Sequence, residues 1–240
     1  MTRCCSAVRI TLPGSHRVVT AVVAPAAMWV HGCRLVRLGR VLVTGAAGQL
    51  AGAVRHAFED CDLVARTRQE LDLTDPGAVD REVAGLRPDV IVNCAAFNDV
   101  DGAEERPREA FALNAFAVRS LARAADACDA ALVHYGTDFV FDGSASTPYD
   151  ESARPAPQSV YAASKLVGEW FALEARRGFV LRVESLFGAA PQWTGRRGSF
   201  DGILDGLIER RTVKVFTDRV VSPSYVEDVA RATQHLVDSG

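Results

Sequence analysis

Tyr161 and Lys165 lie four residues apart in the segment VYAASKLVGEW, at the start of a predicted helix. Residues i and i+4 share one face of a helix, so the ammonium group can stand beside the phenol. A neighbouring positive charge lowers the pKa of a tyrosine, which suits an acid/base catalyst. The same spacing also fits an ordinary amphipathic helix with both side chains exposed, so the pair needs support from the rest of the chain.

Two further polar residues fall where they can support such a pair. Thr137 follows the predicted strand 131–135, and its hydroxyl can hydrogen-bond a carbonyl oxygen that Tyr161 protonates. Asn114 lies in a helical segment among apolar residues, where it can order a water molecule or a backbone group linked to Lys165. The simpler alternatives are a threonine that caps the following turn and a core amide with satisfied hydrogen bonds.

The segment VLVTGAAGQLAG, residues 41–52, has the order strand, small-residue turn, helix. Gly45 and Gly48 make the turn, and Leu50, Val54 and Phe58 then follow at helical spacing. Backbone N–H groups at the start of such a helix can receive a pyrophosphate. The spacing is G-x-x-G-x-x-A, which fits either a nucleotide cradle or a plain strand–helix turn.

Strands and helices alternate along the chain. Strands are predicted at 41–44, 62–65, 71–73, 90–93, 131–135, 179–183 and 213–217, and helices at 49–58, 76–86, 104–128, 161–176, 202–210 and 226–237. This alternation predicts an α/β fold with a doubly wound parallel sheet of the Rossmann type. A ligand is then expected at the carboxyl ends of the strands, where the polar residues above fall.

Bulk composition narrows the classes of partner. The 240 residues are 48% hydrophobic and carry a net charge of −3, which favours a folded domain and gives no reason to expect nucleic acid. No apolar run reaches the roughly 18 residues of a membrane helix, so no membrane partner is predicted. The six cysteines lack the spacing of a metal site, and no metal site is predicted. The expected location is the cytoplasm.

Residues 1–39 show no convincing period, and the first 40 residues contain six arginines and no acidic residue. The apolar run 18–27 fits a signal peptide, with Ala24-Pro25-Ala26 as a cleavage-like site. A disordered extension, or translation from upstream of a start near Met28, is favoured instead. The predicted organisation is therefore an N-terminal extension at 1–39, a cofactor-binding Rossmann domain at 40–183 and a partial substrate lobe at 184–240.

Several stretches occur together in one order: VLVTGAAGQL, ELDLTD, VIVNCAAFNDVDGAE, HYGTDFVFDG, TPYDE, VYAASKLVGE and SPSYVEDVA. In these stretches the chain resembles the extended short-chain dehydrogenases/reductases and, within that group, the dTDP-4-dehydrorhamnose reductases. The resemblance runs from Val41 to about Ala230, some four-fifths of the chain.

The resemblance implies roles for individual residues. Contacts with a nicotinamide cofactor are expected from Gly45, Gly48, Gln49 and Leu50 at the pyrophosphate, Asp72 and Leu73 at the adenine, Ala95, Ala96 and Phe97 in the cofactor trough, and Tyr135 beneath the nicotinamide. Tyr161 is implied as proton donor, and Lys165 as its activator and a ribose ligand. Sugar contacts are expected from Thr137, Asp138 and Ser185.

Cofactor choice depends on the end of the second strand. Arg66 and Arg68 follow that strand, where an arginine can meet a 2′-phosphate, and no acid stands there to bind a 2′-hydroxyl. NADPH is therefore the expected cofactor, with NADH also used; the alternative is that both arginines are simply solvated. The sequence does not decide on a divalent ion, and the oligomer considered is a homodimer.

The implied activity is NAD(P)H-dependent reduction of the 4-keto group of a nucleotide-linked 6-deoxysugar. The alternatives are a reductase or epimerase of another sugar nucleotide, a non-catalytic NAD(P)-binding regulatory subunit, and an inactive fragment. Departures from the family pattern leave the sugar open: Ala51 replaces the third glycine, Phe97 and Phe139 replace tyrosines, and Gly136, Ser185 and Arg219 replace a serine, a tryptophan and a glutamine. The chain also ends before the last strand and helices of the family's substrate lobe.

Overall fold

The computed structural model describes residues 18–20, 39–188, 198–215 and 221–239. Six strands lie in these ranges: β1 (Val18–Thr20), β2 (Arg40–Thr44), β3 (Asp62–Arg66), β4 (Val90–Asn93), β5 (Ala131–Thr137) and β6 (Gly178–Val183). They form one sheet in the order β1-β6-β5-β4-β2-β3, and every neighbouring pair is parallel. The order turns back between β2 and β4, which opens a crevice at their carboxyl ends.

Helices cover both faces of the sheet. They are α1 (Gln49–Ala57), α2 (Pro76–Leu86), α3 (Val100–Glu105), α4 (Pro107–Phe111), α5 (Ala117–Cys128), α6 (Val160–Glu174), α7 (Ser199–Ile208) and α8 (Val226–Ser239). One apolar core joins α1 and α8 to the sheet, and a second core joins α2, α5 and α6 to the opposite face. The predicted doubly wound parallel fold is therefore confirmed.

The central strands form because both of their faces are apolar. Val41, Leu42 and Val43 of β2 are fully buried, as are Val90, Ile91 and Val92 of β4. Continuous rather than alternating hydrophobicity is the pattern of a parallel strand covered by helices on both sides. Burial on both faces fixes the strand ends, and therefore the residues that follow them.

The prediction of one continuous helix at 104–128 is wrong, because the structure has several shorter helices there. The segment starts earlier, at α3, where the Asp99 side chain accepts from the Gly102 N–H at 3.0 Å. It breaks before Pro107, which has no N–H to continue the helix, and α4 then passes through a π turn at Ala112–Phe116 into α5. The π turn lies at Asn114, one of the predicted site residues.

The strand predicted at 71–73 is absent. Leu71 and Leu73 bury their side chains from a chain of turns, with Leu71 N–H bonded to the Thr67 carbonyl and Asp75 N–H to that of Asp72. The alternation of apolar and polar residues predicted a strand here, but no neighbouring strand pairs with this segment in the structure. Residues 213–215 are also outside any strand, and 216–217 lie outside the described residues.

The first 39 residues were predicted to lie outside the fold, but β1 belongs to that segment and pairs with β6 in the register Val18↔Val180. The three residues of β1 are too short a pattern to predict an edge strand from the sequence alone. The cleavage-like site, Met28 and Arg219 lie outside the described residues. None of the helices in the described ranges has the length and apolar character needed to cross a membrane.

Candidate active site

A cleft of about 780 Å³ opens at the carboxyl ends of the strands. The sequence-predicted residues that line it are Gly48, Gln49, Leu50, Ala95, Ala96, Tyr135, Thr137, Asp138, Tyr161, Lys165 and Ser185. They come from five separate segments, which the parallel sheet brings to one edge. A cleft therefore lies at the edge of the sheet where the sequence predicted that a ligand binds.

The glycine turn brings the start of α1 against the loop after β4. Gly45 has φ +66°, and a Cβ there would lie 2.6 Å from the Ala95 nitrogen. Gly48 precedes α1 and provides no side-chain cap, so the N–H groups of the first turn are not satisfied by a side chain. An uncapped helix start that borders a cleft fits the pyrophosphate of a dinucleotide.

Lys165 is buried beneath Tyr161, and its Nζ donates to the Tyr135 carbonyl oxygen at 2.5 Å. Burial lowers the pKa of Lys165 to about 8, although the charge of Glu169 opposes that shift. Burial also raises the pKa of Tyr161 to about 12. The expected lowering of the Tyr161 pKa is therefore not what this structure gives, since burial raises that pKa and the charge of Asp138 adds to the rise. A phenol that stays protonated at neutral pH is a proton donor.

Thr137 connects Tyr161 to the acidic end of the cleft. Both Thr137 and Tyr161 line the cleft, the Thr137 side chain lowers the pKa of Tyr161 against the effect of burial, and Thr137 Oγ1 donates to Asp138 Oδ1 at 3.1 Å. Phe139 packs edge-on against Tyr161 with ring centroids 5.8 Å apart, which helps to hold the phenol in place. The phenol and the hydroxyl therefore stand together where a carbonyl oxygen could meet both.

Asn114 holds the loop after β4. Its Oδ1 accepts from the Phe97 N–H at 2.7 Å, and its Nδ2 donates to the Phe97 carbonyl at 3.1 Å and to Ser164 Oγ at 3.0 Å. The expected link to Lys165 is thus indirect, through the adjacent Ser164 of α6. The π turn aims this amide at the loop, as extra helical residues often do at functional sites.

Gly136 stands where the family pattern has serine, and the structure explains the change. A Cβ there would lie 2.1 Å from Glu169 Oε1, because the buried Glu169–Arg182 ion pair fills this space. The Arg182 guanidinium makes three contacts of 2.7–3.1 Å with the carboxylate and lies 5.1 Å from the centre of the Phe141 ring. The buried ion pair therefore requires a residue without a side chain at position 136.

Five of the residues predicted to contact the cofactor do not line the cleft. Gly45 forms the turn itself, and Phe97 is held by Asn114 with Arg106 over its ring. Arg66 Nε pairs with Glu82 at 2.6 Å, while Asp72 accepts from Thr74 and Leu73 is buried in the core. Their cofactor contacts stay predictions.

Sequence reasoning missed Glu184, which follows β6 and lines the cleft beside Asp138. Burial raises its pKa to about 7. Its signal in the sequence was an acid directly after a buried strand, the same position relative to β6 that Asp138 has to β5.

The polar row beneath the cleft was also missed. Thr44 Oγ1 donates to Asn93 Oδ1 at 2.7 Å, and Asn93 Nδ2 lies 3.1 Å from His134 Nδ1, across three adjacent strands. Burial lowers the pKa of His134, which is therefore neutral. This row fixes the strand ends that support the loops of the site.

The substrate side of the cleft is tied to the Rossmann core by Gln49. Its Nε2 donates to the Gly188 carbonyl and to Asp201 Oδ2, the latter at 2.9 Å. Asp201 also accepts from the Gly188 N–H at 2.9 Å. In the described ranges no three His, Cys, Asp or Glu side chains come together as a metal site.

This fold and this constellation define an NAD(P)-dependent oxidoreductase of the extended short-chain dehydrogenase/reductase class. A family model described as the RmlD substrate binding domain matches residues 39–240. The chain belongs to this family, whose members among the relatives below are dTDP-4-dehydrorhamnose reductases.

Curated relatives include the dTDP-4-dehydrorhamnose reductase of Mycobacterium tuberculosis H37Rv, 39% identical over 213 residues, which are 85% of this chain and 67% of that protein. The enzyme of the same name from Mycolicibacterium smegmatis is 35% identical over 84% of this chain and 61% of its own length. The chain thus spans about two thirds of the length of these relatives.

Solved structures agree with this family. The dTDP-4-dehydrorhamnose reductase from Bacillus anthracis in complex with NADP has a TM-score of 0.76 and 33% identity, over 83% of this chain and 70% of that one. The UDP-glucose 4-epimerase of Thermus thermophilus, in complex with NAD, has a TM-score of 0.69 at 23% identity, over 84% of this chain and 75% of that one. The latter likeness shows the shared fold alone.

Proposed function

We propose that this chain reduces the 4-keto group of a nucleotide-linked 6-deoxysugar, as a dTDP-4-dehydrorhamnose reductase does, with NADPH as the preferred reductant. The observation that carries the proposal is that Tyr161, Thr137 and the buried Lys165 line one cleft, which also receives the uncapped start of α1. This arrangement joins an acid for a carbonyl oxygen to a place for a dinucleotide.

When bound, the nicotinamide supplies the hydride that reduces the carbonyl carbon. Gly48, Gln49 and Leu50 would hold the pyrophosphate, and Ala95 and Ala96 would border the cofactor in the same cleft. These residues fit the group because the turn at Gly45 keeps the loop narrow and leaves the helix start uncapped.

Tyr161 would donate its phenolic proton to the developing alkoxide, while the Thr137 hydroxyl binds the same oxygen. The raised pKa of Tyr161 keeps the phenol protonated at neutral pH. Lys165 places a positive charge under the site when protonated, which stabilises the tyrosinate that remains after transfer. Tyr135 orients that ammonium through its carbonyl oxygen at 2.5 Å.

The choice of NADPH rests on the basic end of β3. Arg68 is exposed there, and Arg66 pairs with Glu82. The B. anthracis enzyme in complex with NADP supports the same cofactor. A cytoplasmic location and a homodimer also stay predictions, which cell fractionation and size-exclusion chromatography would check.

The proposal is tested by Tyr161→Phe, with Tyr149→Phe as the matched control. The variant should lose about 10²–10⁴-fold in NADPH oxidation with dTDP-4-keto-rhamnose, because the phenolic proton is gone, yet bind NADPH like the wild type. Tyr149 donates to Asp142 outside the cleft, and its variant should keep full activity. Full activity of Tyr161→Phe would overturn the assignment.

The same assay separates the alternatives. Faster NADPH oxidation with UDP- or GDP-linked keto sugars than with the dTDP sugar would favour a different sugar nucleotide. NADPH binding without turnover on any of these sugars would favour the regulatory reading instead.

A further inference from the structure

The side chain of Gln49 joins the start of α1 to the opposite wall of the cleft. Its Nε2 donates to the Gly188 carbonyl and, at 2.9 Å, to Asp201 Oδ2. Both acceptors need an N–H donor, so the orientation of the Gln49 amide is fixed. The backbone N–H of Gln49 belongs to the uncapped first turn of α1, where a pyrophosphate is expected. One residue therefore faces the cofactor with its backbone and the far wall with its side chain.

Asp201 receives this bond and two others. The residue is 2% exposed, and its carboxylate accepts from the Gly188 N–H at 2.9 Å and from the Gly198 N–H at 3.3 Å. The bond from Gly198 is a capping contact at the start of α7. The bonds from Gly188 and Gln49 go beyond a cap, because they join the segment after β6 and the start of α1 to α7.

These bonds hold the wall of the cleft on which Ser185 lies. Leu186, Gly198 and Phe200 line the same wall, and Phe200 packs against Phe187 with ring centroids 5.0 Å apart. A Cβ at Gly198 would lie 2.5 Å from the Leu186 carbonyl oxygen, so the backbone segments of the wall are in close contact. The position of α7 therefore sets the position of this wall relative to α1.

A second glutamine shows what a bond at α1 outside the cleft looks like. Gln234 of α8 donates through Nε2 to the carbonyl of Ala57, the last residue of α1, at 3.0 Å. The two glutamines thus tie opposite ends of α1 to different elements. Of these two, Gln49 is the one that lines the cleft.

We propose that Gln49 and Asp201 are positioning residues that couple cofactor binding to substrate binding. A pyrophosphate that orders the first turn of α1 also fixes Gln49, and Gln49 then holds Asp201 and the wall at Ser185 in the geometry that the sugar meets. Each ligand thereby reduces the ordering that the other has to bring about, which raises the affinity of the other. The substrate half of this proposal rests on the proposed function, because that function places a sugar at this wall.

Two variants remove the bond in different ways. Gln49→Met keeps the backbone N–H and the length of the side chain but removes both donor bonds. Asp201→Asn keeps one oxygen for the Gly188 N–H and turns an amide group, instead of an acceptor, toward Gln49. The matched controls are Gln234→Met, at the other end of α1, and Asp75→Asn, at the N-cap of α2 outside the cleft. All variants are made in the full chain, and circular dichroism checks that they fold.

The cofactor half is measured without substrate, by hydrogen exchange with and without NADPH. In the wild type and both controls, NADPH should slow amide exchange in peptides that cover residues 184–188 and α7. In Gln49→Met and Asp201→Asn this slowing should be lost, while slowing in the glycine turn at 44–48 remains. Slowing at α7 that is absent in the wild type, or equal in the wild type and both variants, overturns the coupling.

The substrate half is measured from steady-state rates with dTDP-4-keto-rhamnose at saturating NADPH. Gln49→Met and Asp201→Asn should each raise KM about 10-fold with a smaller change in kcat, because the wall shifts while Tyr161 and Thr137 are untouched. The double variant should raise KM no further than the more affected single variant, because both residues act through one bond. Additive increases in KM, or lost stability with an unchanged KM, would show separate or merely structural roles and overturn the proposal.

The two readouts separate the coupling from the proposed function. If the wild type reduces no keto sugar but NADPH slows exchange at α7 only when Gln49 is present, the proposed function fails and the cofactor half of the coupling stands. If the wild type turns over normally and Gln49→Met matches it in KM and in hydrogen exchange, only the coupling fails.

Discussion

The buried ion pair behind the active site makes a demanding prediction. The side chains of Glu169 and Arg182 are 1% and 6% exposed. Among the described residues, the Glu169 carboxylate is the acidic group that pairs with the Arg182 guanidinium. Glu169→Gln keeps the shape of the side chain and removes the negative charge. It therefore leaves a positive charge in the core with only an amide oxygen to face it.

The expected loss follows from burial. Removing one partner of a buried ion pair costs about 3–5 kcal/mol, because the desolvation of the remaining charge is no longer compensated. A folded domain has a total stability of about 5–15 kcal/mol, so this is a large share of it. With a urea m-value of about 3 kcal/mol per molar, the unfolding midpoint should fall by about 1–2 M.

Urea unfolding followed by circular dichroism measures this shift. Asp62→Asn is the control, because Asp62 and Arg40 form an exposed pair with side chains 57% and 41% exposed, and its loss should cost less than about 1 kcal/mol. Replacing both members of the buried pair, Glu169→Leu with Arg182→Met, should restore most of the stability. A loss below about 1 kcal/mol in Glu169→Gln would refute this reasoning.

Three further predictions concern the site. Gly45→Ala should abolish NADPH binding in a fluorescence titration, because its φ of +66° and the 2.6 Å approach to Ala95 exclude a Cβ; unchanged affinity would contradict the cradle. Asn114→Ala should weaken NADPH binding and cost about 1–3 kcal/mol in urea unfolding, because it strands the Phe97 backbone groups; a change below 0.5 kcal/mol would speak against that role. Stability should rise between pH 8 and 10.5, because Lys165 binds its proton less tightly when folded, and the unfolded chain carries more protons there; Lys165→Met should flatten this rise, and an unaltered slope would contradict the shift.

Much of the fold could be predicted from local pattern. Continuous apolar runs such as 90–92 identify strands buried on both faces, and the helix predicted at 76–86 coincides with α2. Prediction failed where a local pattern depends on a distant partner. Leu71 and Leu73 alternate like a strand but lack a neighbour to pair with, and β1 is too short to be recognised without β6.

The order of residues in the sequence by itself determined the α/β class, the glycine turn, and the placement of Thr137, Tyr161 and Lys165 at strand or helix ends. These follow from short-range chemistry: helical periodicity, turn conformation and strand burial. Tertiary structure alone decided the electrostatics of the site. Burial raises the pKa of Tyr161 rather than lowering it, and the adjacent ends of β5 and β6 bring Glu184 to Asp138 across 46 residues of sequence. Desolvation and contacts between distant strands depend on the packed sheet, so no local pattern contains them.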